Sequence, residues 1–173
     1  AGTPTGGAVP NGIYINCGGG SYQSQAGVQF SPDQYSIGGS LGSYRGPVAN
    51  TQEDSLFFSS RWGKNMSYYI PLSQNGTYRV QIYLAETWPG AYKTGKRVFD
   101  IRLENKLRFD DVDIFQAVGA ETALILTDTV QVNDGELAIQ TEASSNNSAI
   151  NALAITPLNT YPAKRGNASN RSA

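Results

Sequence analysis

Along residues 13–157, hydrophobic and polar positions alternate in short runs, and no stretch carries a convincing helical spacing. The clearest run is Thr77 to Glu86, where Tyr78, Val80, Ile82 and Leu84 alternate with Arg79, Gln81 and Tyr83. A period of two turns one face of a strand into a core and the other toward solvent. Asn75-Gly76, a turn signal, precedes this run and predicts an antiparallel hairpin between Tyr68–Pro71 and Thr77–Glu86. Ile13–Cys17 predicts an opening strand. Val98–Leu103 predicts another, with Phe99, Ile101 and Leu103 on one face and Asn105 turning the chain into Leu107–Phe109. Ala123–Leu126, Thr129–Val132, Leu137–Thr141 and Ala149–Ile155 follow, with Asp134-Gly135 marking a further hairpin. Many short strands at this spacing, without alternating helices, predict an all-β fold: a single antiparallel β-sandwich, jelly-roll-like in its order.

The pattern fades at both ends. Residues 1–12 and 158–173 are small, Pro- and Gly-containing and rich in Asn and Ser, as extended tails or linkers are. They flank one domain at 13–157, and 173 residues suffice for one proper core. The 19 glycines and 10 tyrosines suit a turn-rich domain with an aromatic-dotted surface. A net charge of −1 with only 16% charged residues leaves no basic field for nucleic acid or acidic lipid. No apolar run approaches the roughly 20 residues that span a bilayer. The opening residues also lack the charged and apolar regions of a signal peptide, so a secreted protein would have this sequence as its mature form.

The candidate chemistry narrows by elimination. The sequence has no histidine, which removes Ser-His-Asp and Cys-His nucleophilic systems and His-based metal sites together. Cys17 is the only cysteine, so neither an internal disulfide nor a cysteine-built zinc site can form, and a small buried hydrophobe is its expected role. Gly90 to Lys96 imitates a phosphate-binding loop, but Arg97 stands where Ser or Thr is needed and a strand follows instead of a helix; it is expected to be a hairpin loop. Asp110, Asp111 and Asp113 lack the Gly and Glu of an EF-hand. They leave turn chemistry with ion pairs to Arg102 and Arg108, or a loop calcium site, as alternatives. Glu53, Glu86 and Asp100 are available carboxylates, but nothing in their spacing selects a glycosidase pair. No catalytic residue, cofactor or metal is therefore assigned. Five N-glycosylation sequons are present, at Asn65, Asn75, Asn146, Asn167 and Asn170.

The order of motifs resembles a known family. Ile15-Asn16-Cys17-Gly18-Gly19, then Asp33-Gln34-Tyr35 with Gly38-Gly39, Glu53-Asp54 with Phe57-Phe58 and Arg61-Trp62, and Leu84-Ala85-Glu86 come in sequence. Arg97 to Ile101, Asp110 to Phe115 with Gly119 and Thr122, and Ala149 to Ile155 complete it. Together these blocks resemble malectin and the malectin-like domains of receptor kinases over about residues 13–157. The resemblance implies a β-sandwich whose loops at one end hold a sugar site of aromatics and a carboxylate. By position it implies that Trp62 and Trp88 stand for two binding aromatics and Tyr44, more loosely, for a third. Asn146 falls where malectin has an Asp, and Pro89 replaces another aromatic that Tyr92 in the enlarged loop would substitute. With the polar part so altered, the resemblance by itself does not assign malectin's ligands, glucose disaccharides and glucosylated N-glycans, to this sequence.

Sugars present apolar C–H faces ringed by hydroxyls, so flat aromatics with a few amides suit them. Trp62, Trp88, Tyr44, Tyr92, Asn146 and Asn147 supply those types. The alternative for either tryptophan is burial in the sandwich core. Two functions remain open at this point. One is a non-catalytic carbohydrate-binding module, extracellular or on a cell surface, with an oligosaccharide or polysaccharide partner. The other is a glycosylated structural subunit of an extracellular fibre or coat, joined to identical subunits through residues 1–12 and 158–173. A glycan on Asn146 would obstruct the inferred sugar site, so the two compete there.

Overall fold

The computed structural model describes residues 12–162. In chain order the strands are β1 (Ile13–Asn16), β2 (Tyr22–Gln23), β3 (Gln29–Phe30), β4 (Ser36–Ile37), β5 (Ser40–Ser43), β6 (Ser59–Gly63) and β7 (Asn65–Pro71). They continue as β8 (Gln74–Ala85), β9 (Val98–Leu103), β10 (Lys106–Val112), β11 (Ala123–Val132), β12 (Glu136–Ser145), β13 (Ser148–Ile150) and β14 (Ala152–Pro162). Among the described residues one short α-helix, α1 (Ile114–Val118), and two 3₁₀ turns, Asp54–Phe57 and Pro89–Ala91, interrupt them; the Asp113 cap of α1 accepts from the Gln116 N–H at 3.0 Å.

The architecture is the expected antiparallel sandwich. A four-stranded sheet in the order β1-β14-β8-β11 packs against a five-stranded sheet in the order β10-β9-β12-β7-β4. Between them lies one buried cluster, with Tyr78, Val80, Ile82 and Leu84 facing residues such as Tyr68, Ile70, Phe99 and Ile101. The alternation that predicted the inward face of β8 is therefore met. Its outward face is not uniformly solvent-exposed, because Tyr83 and Ala85 pack into a second cluster with Phe30, Leu56 and Phe57 from the long segment before β6. A three-stranded sheet, β13-β6-β5, is attached at the end of the sandwich where β8 finishes.

Three expected connections differ. Tyr68–Pro71 belongs to β7, which pairs with β12 and β4, whereas β8 pairs with β11 and β14, so no hairpin joins them. Both strands bury alternating apolar residues, and they face each other across the core instead of lying side by side. Asn75 and Gly76 sit inside β8. Gly76 has φ 127°, and a Cβ there would approach the Thr160 Cα to 2.8 Å, so glycine is required by the neighbouring strand. Asp134-Gly135 likewise carries the chain from one sheet to the other, between β11 and β12. The two crossings are stitched together: the Leu72 N–H donates to the Gly135 carbonyl at 2.8 Å, and the Gly135 N–H donates to Asn75 Oδ1 at 2.7 Å. The Gly90–Lys96 loop is a third crossing, between β8 and β9, not a hairpin loop. The β9–β10 hairpin does form, with Glu104 and Asn105 both left-handed at φ 50° and 64°, as a two-residue turn of the favoured twist requires. At the carboxyl end β14 pairs with β8 as far as Pro162. The rest of the 158–173 segment and residues 1–11 lie outside the described residues.

The join between β13 and β14 is a single residue, Asn151, 2% exposed. Its Oδ1 accepts the Ala85 N–H at 2.9 Å, and its Nδ2 donates to the Ser59 carbonyl at 2.9 Å. Asn151→Ala would leave a buried donor and a buried acceptor without partners, at about 1–3 kcal/mol for each. A loss of at least ~2 kcal/mol is expected from urea unfolding midpoints; a loss below about 0.5 kcal/mol would show that water replaces the amide.

Candidate functional site

At the end of the sandwich fixed by Asn151, a cleft of about 490 Å³ opens among three segments. The paired strands β5 and β6 contribute Ser43, Ser60 and Trp62; the loop leaving β8 contributes Glu86, Thr87, Trp88 and Arg97; the turn between β12 and β13 contributes Asn146 and Asn147. Trp62 lies in register with Ser40 on one side and Ala149 on the other and is 38% exposed. Trp88 is 50% exposed and begins a tight turn in which its carbonyl accepts the Ala91 N–H at 2.9 Å. Neither tryptophan is in the sandwich core.

The cleft floor is an ion pair. Glu86 is 2% exposed, and Arg97 Nε donates to both of its carboxylate oxygens at 3.0 Å. Arg97 Nη1 also donates to the Asn147 carbonyl at 2.8 Å, so the guanidinium ties the β8 loop to the β12–β13 turn. Burial pushes the Glu86 carboxyl above the ordinary carboxylate value; Arg97 opposes that push and Asp113 adds to it. These two residues are the only charged side chains lining the cleft among the described residues, and their charges cancel. Asn146 takes a left-handed conformation at φ 59°, and its Oδ1 accepts from Asn147 Nδ2 at 2.9 Å.

The structure thus brings Trp62, Trp88 and Asn146 to one cleft, and leaves Tyr44 and Tyr92 off its wall. The Tyr44 hydroxyl donates to the Pro47 carbonyl at 3.1 Å. The Tyr92 hydroxyl donates to Glu121 Oε1 at 3.1 Å, and its ring stacks on Phe115 with centroids 6.3 Å apart. Burial, reinforced by Glu121, pushes the Tyr92 phenol up to about 12. Both tyrosines serve the domain's own packing. The Glu86–Arg97 pair is the feature of the cleft that residue spacing missed. Each residue stood in a recognisable block, but nothing local announces that they meet.

The other candidates resolve separately. Cys17 is fully buried, and burial pushes its thiol far up, as an inert hydrophobe requires. Asp100, Asp110 and Asp111 cluster, with the Asp111 N–H donating to Asp100 Oδ1 at 2.9 Å. Arg108 does not pair with that cluster; it reaches Asp128 at 3.2 Å, because β10 lies beside β11 at the open side of the sandwich. The Gly95 N–H of the phosphate-loop lookalike donates to Asp113 Oδ2 at 2.7 Å, so the loop presents its amide to a carboxylate. Glu53 accepts the Tyr22 hydroxyl and the Gln25 N–H, apart from Glu86 in its cleft and Asp100 in its cluster. Of the sequons, Asn65 is exposed at the start of β7, Asn75 is half-buried in β8, and Asn146 opens into the cleft. Asn167 and Asn170 lie outside the described residues. No helix among the described residues is long and apolar enough to cross a membrane.

Comparison with known proteins agrees with this architecture. The family model described as the malectin domain matches residues 11–156. Malectin-B of Xenopus laevis is 27% identical over 139 residues, a span covering 76% of this chain and 49% of that protein. The chain therefore spans about half the length of that relative. Two solved structures share the fold at 16% identity. A β-glucuronidase of Bacteroides uniformis has a TM-score of 0.76, with 86% of this chain and 18% of that chain covered. The extracellular domain of ANXUR2 from Arabidopsis thaliana has a TM-score of 0.72, with 83% and 47% covered.

The cleft floor sets a pH dependence. Native Glu86 holds its proton more tightly than the unfolded chain, whose carboxyl titrates near 4.5. Its contribution to stability is then full below that pH and is lost as pH rises through the elevated native value. Glu86→Gln should remove this decline, so urea midpoints of the variant should vary less than those of the parent from about pH 4 to 7. Equal slopes would assign the decline to another group.

Proposed function

The chain belongs to the malectin domain family, and on that premise we propose that it is a non-catalytic, extracellular carbohydrate-binding module. Its ligand is a neutral oligosaccharide or polysaccharide held in the cleft lined by Trp62 and Trp88. One observation carries this reading: two half-exposed indoles and several hydroxyl and amide groups converge on a cleft whose only charges cancel. Indole faces suit the C–H faces of a pyranose, and Ser43, Ser60, Thr87, Asn146 and Asn147 offer hydrogen bonds to its hydroxyls. Hydrolysis finds no support. Among the described residues the single carboxylate in the cleft is tied to Arg97, and no second one stands opposite it to complete an acid–base pair.

A second reading, the glycosylated structural subunit, is favoured by the Asn146 sequon. Its asparagine is exposed at the cleft mouth, whereas its Ser148 hydroxyl is fully buried, donating to the Gly63 carbonyl at 2.6 Å. A glycan there would have to be attached before folding, and it would fill the cleft.

Binding to an array of neutral oligosaccharides should fall about tenfold, ~1.4 kcal/mol, for Trp62→Ala and again for Trp88→Ala. It should change little with added salt, because the cleft carries no net charge. Undiminished binding in both variants would sink the module reading. Native protomers well above the 18.5 kDa polypeptide mass, with a glycan on Asn146 and assembly in light scattering, would establish the subunit instead.

A further inference from the structure

Both indoles of the cleft rest on a glycine. A Cβ built on Gly90 would come within 2.6 Å of Trp88 Cε2 and Cη2, and closer still to Cζ2. The six-membered ring of Trp88 therefore covers the Gly90 α-carbon. On the other wall, Gly42 of β5 and Trp62 of β6 are diagonal neighbours on one face, since Gly42 pairs with Ser60 and Ser40 with Trp62. A Cβ on Gly42 would meet Trp62 Cδ1 at 3.2 Å and Nε1 at 3.5 Å, and would collide with the Ser60 hydroxyl. Neither glycine is among those with positive φ, so the backbone does not demand glycine at either position. At Gly90 a side chain would run into the indole itself; at Gly42 it would meet the Ser60 hydroxyl first and then press on the Cδ1–Nε1 edge of the indole. Local turn chemistry explains neither residue: Gly90 lies in a 3₁₀ turn, Pro89–Ala91, that alanine enters without strain.

We propose that Gly42 and Gly90 are positioning residues of the sugar site, seats that hold the two indoles flat. At each seat the indole has a glycine against it and still lines the cleft. A large aromatic with two rotatable bonds would otherwise sample several orientations, and fixing one before the ligand arrives removes that ordering cost from binding. A methyl group at either seat tilts its indole off the wall. This inference rests on the carbohydrate reading of the cleft, but its first test does not need a ligand.

The test uses the full chain with Gly90→Ala, Trp88→Ala and the double variant, and the corresponding set for Gly42 and Trp62. With only two tryptophans in the sequence, the two indole N–H signals in a nitrogen–proton NMR spectrum are assigned by the single Trp variants. Gly90→Ala should shift the Trp88 signal and leave that of Trp62 in place, and Gly42→Ala should do the reverse. Gly20→Ala, which adds a methyl into open space, should move neither. With cellotetraose and maltotetraose as probes, Gly90→Ala should weaken binding about tenfold, and no further in the Trp88→Ala background, since the glycine acts only through the indole. Unmoved indole signals in both glycine variants would overturn the seats outright. So would a full additional loss of affinity in the double variants. If the indoles shift but neither tetrasaccharide is bound even by the parent chain, and Trp88→Ala leaves the array unchanged, the carbohydrate reading fails while the seats stand as a structural feature. An unfolded Gly42→Ala leaves the Gly90 set to decide.

Discussion

The cleft end of this domain hangs on one buried amide. At Asn151 the chain leaves the small sheet and enters the large one, and no residue there can satisfy both sheets through its backbone alone. The Asn151 N–H donates to the Tyr83 carbonyl at 2.9 Å and its carbonyl accepts the Cys17 N–H at 3.0 Å, which joins β1 and β8 to β14. The side chain then reaches the other way, to Ala85 and Ser59. A buried polar group with no partner is costly, whereas a fully satisfied one fixes a geometry. Here it fixes the end of β8, from which the Trp88 loop departs, against the start of β6, which carries Trp62. The cleft exists because those two segments cannot drift apart.

Two further polar ties complete that end. The Glu86–Arg97 pair closes the floor and reaches the β12–β13 turn through Asn147. Arg61 binds Asp33 at 2.6 Å and the Gly38 carbonyl at 2.9 Å, while the Tyr68 hydroxyl donates to the other Asp33 oxygen at 2.7 Å. This second tie fastens the irregular segment before β4 onto the five-stranded sheet. Buried ion pairs add little net stability against apolar replacements, because desolvation offsets the attraction. Their use here is to leave one arrangement of the loops with every buried side-chain polar atom satisfied among the described residues. A floor whose charges cancel also leaves two indoles and neutral hydrogen-bonding groups as what the cleft presents among the described residues.

The same sandwich occurs in a bacterial glucuronidase, as less than a fifth of that chain, and in a plant extracellular domain. A fold shared so widely says what can be built and not what is bound, so function has to be argued from the cleft. Its carboxylate is spent on an arginine, and its exposed aromatic area lies on two walls that belong to different segments of the chain. The proposed role of the glycines beneath the indoles extends the same principle. A rigid, shaped surface serves recognition of a flexible, uncharged ligand better than reactive groups would.

By itself the sequence determined most of the longer strands, the class of fold and the absence of histidine-based chemistry, but not the short strands β2 to β6 or the run of β14 to Pro162. Period-two alternation, as in Tyr78–Leu84, is set by the pleat and is legible wherever one face is buried. The order of the motif blocks carried the family, and the aromatic types at Trp62 and Trp88 carried the candidate site. What only the tertiary structure decided was partnership. Asn75-Gly76 and Asp134-Gly135 have the composition of hairpin turns, yet the first pair lies inside β8 and the second crosses between sheets, because turn composition does not say which strand the chain will meet. Tyr44 and Tyr92 match the residue types of a sugar site but are claimed by Pro47, Glu121 and Phe115. Glu86 and Arg97, 11 residues apart across an irregular loop, form the floor of the cleft through a contact that no local period records. Short-range sterics write secondary structure into the chain locally, whereas the choice of partner depends on which groups are buried together, and burial belongs to the whole fold.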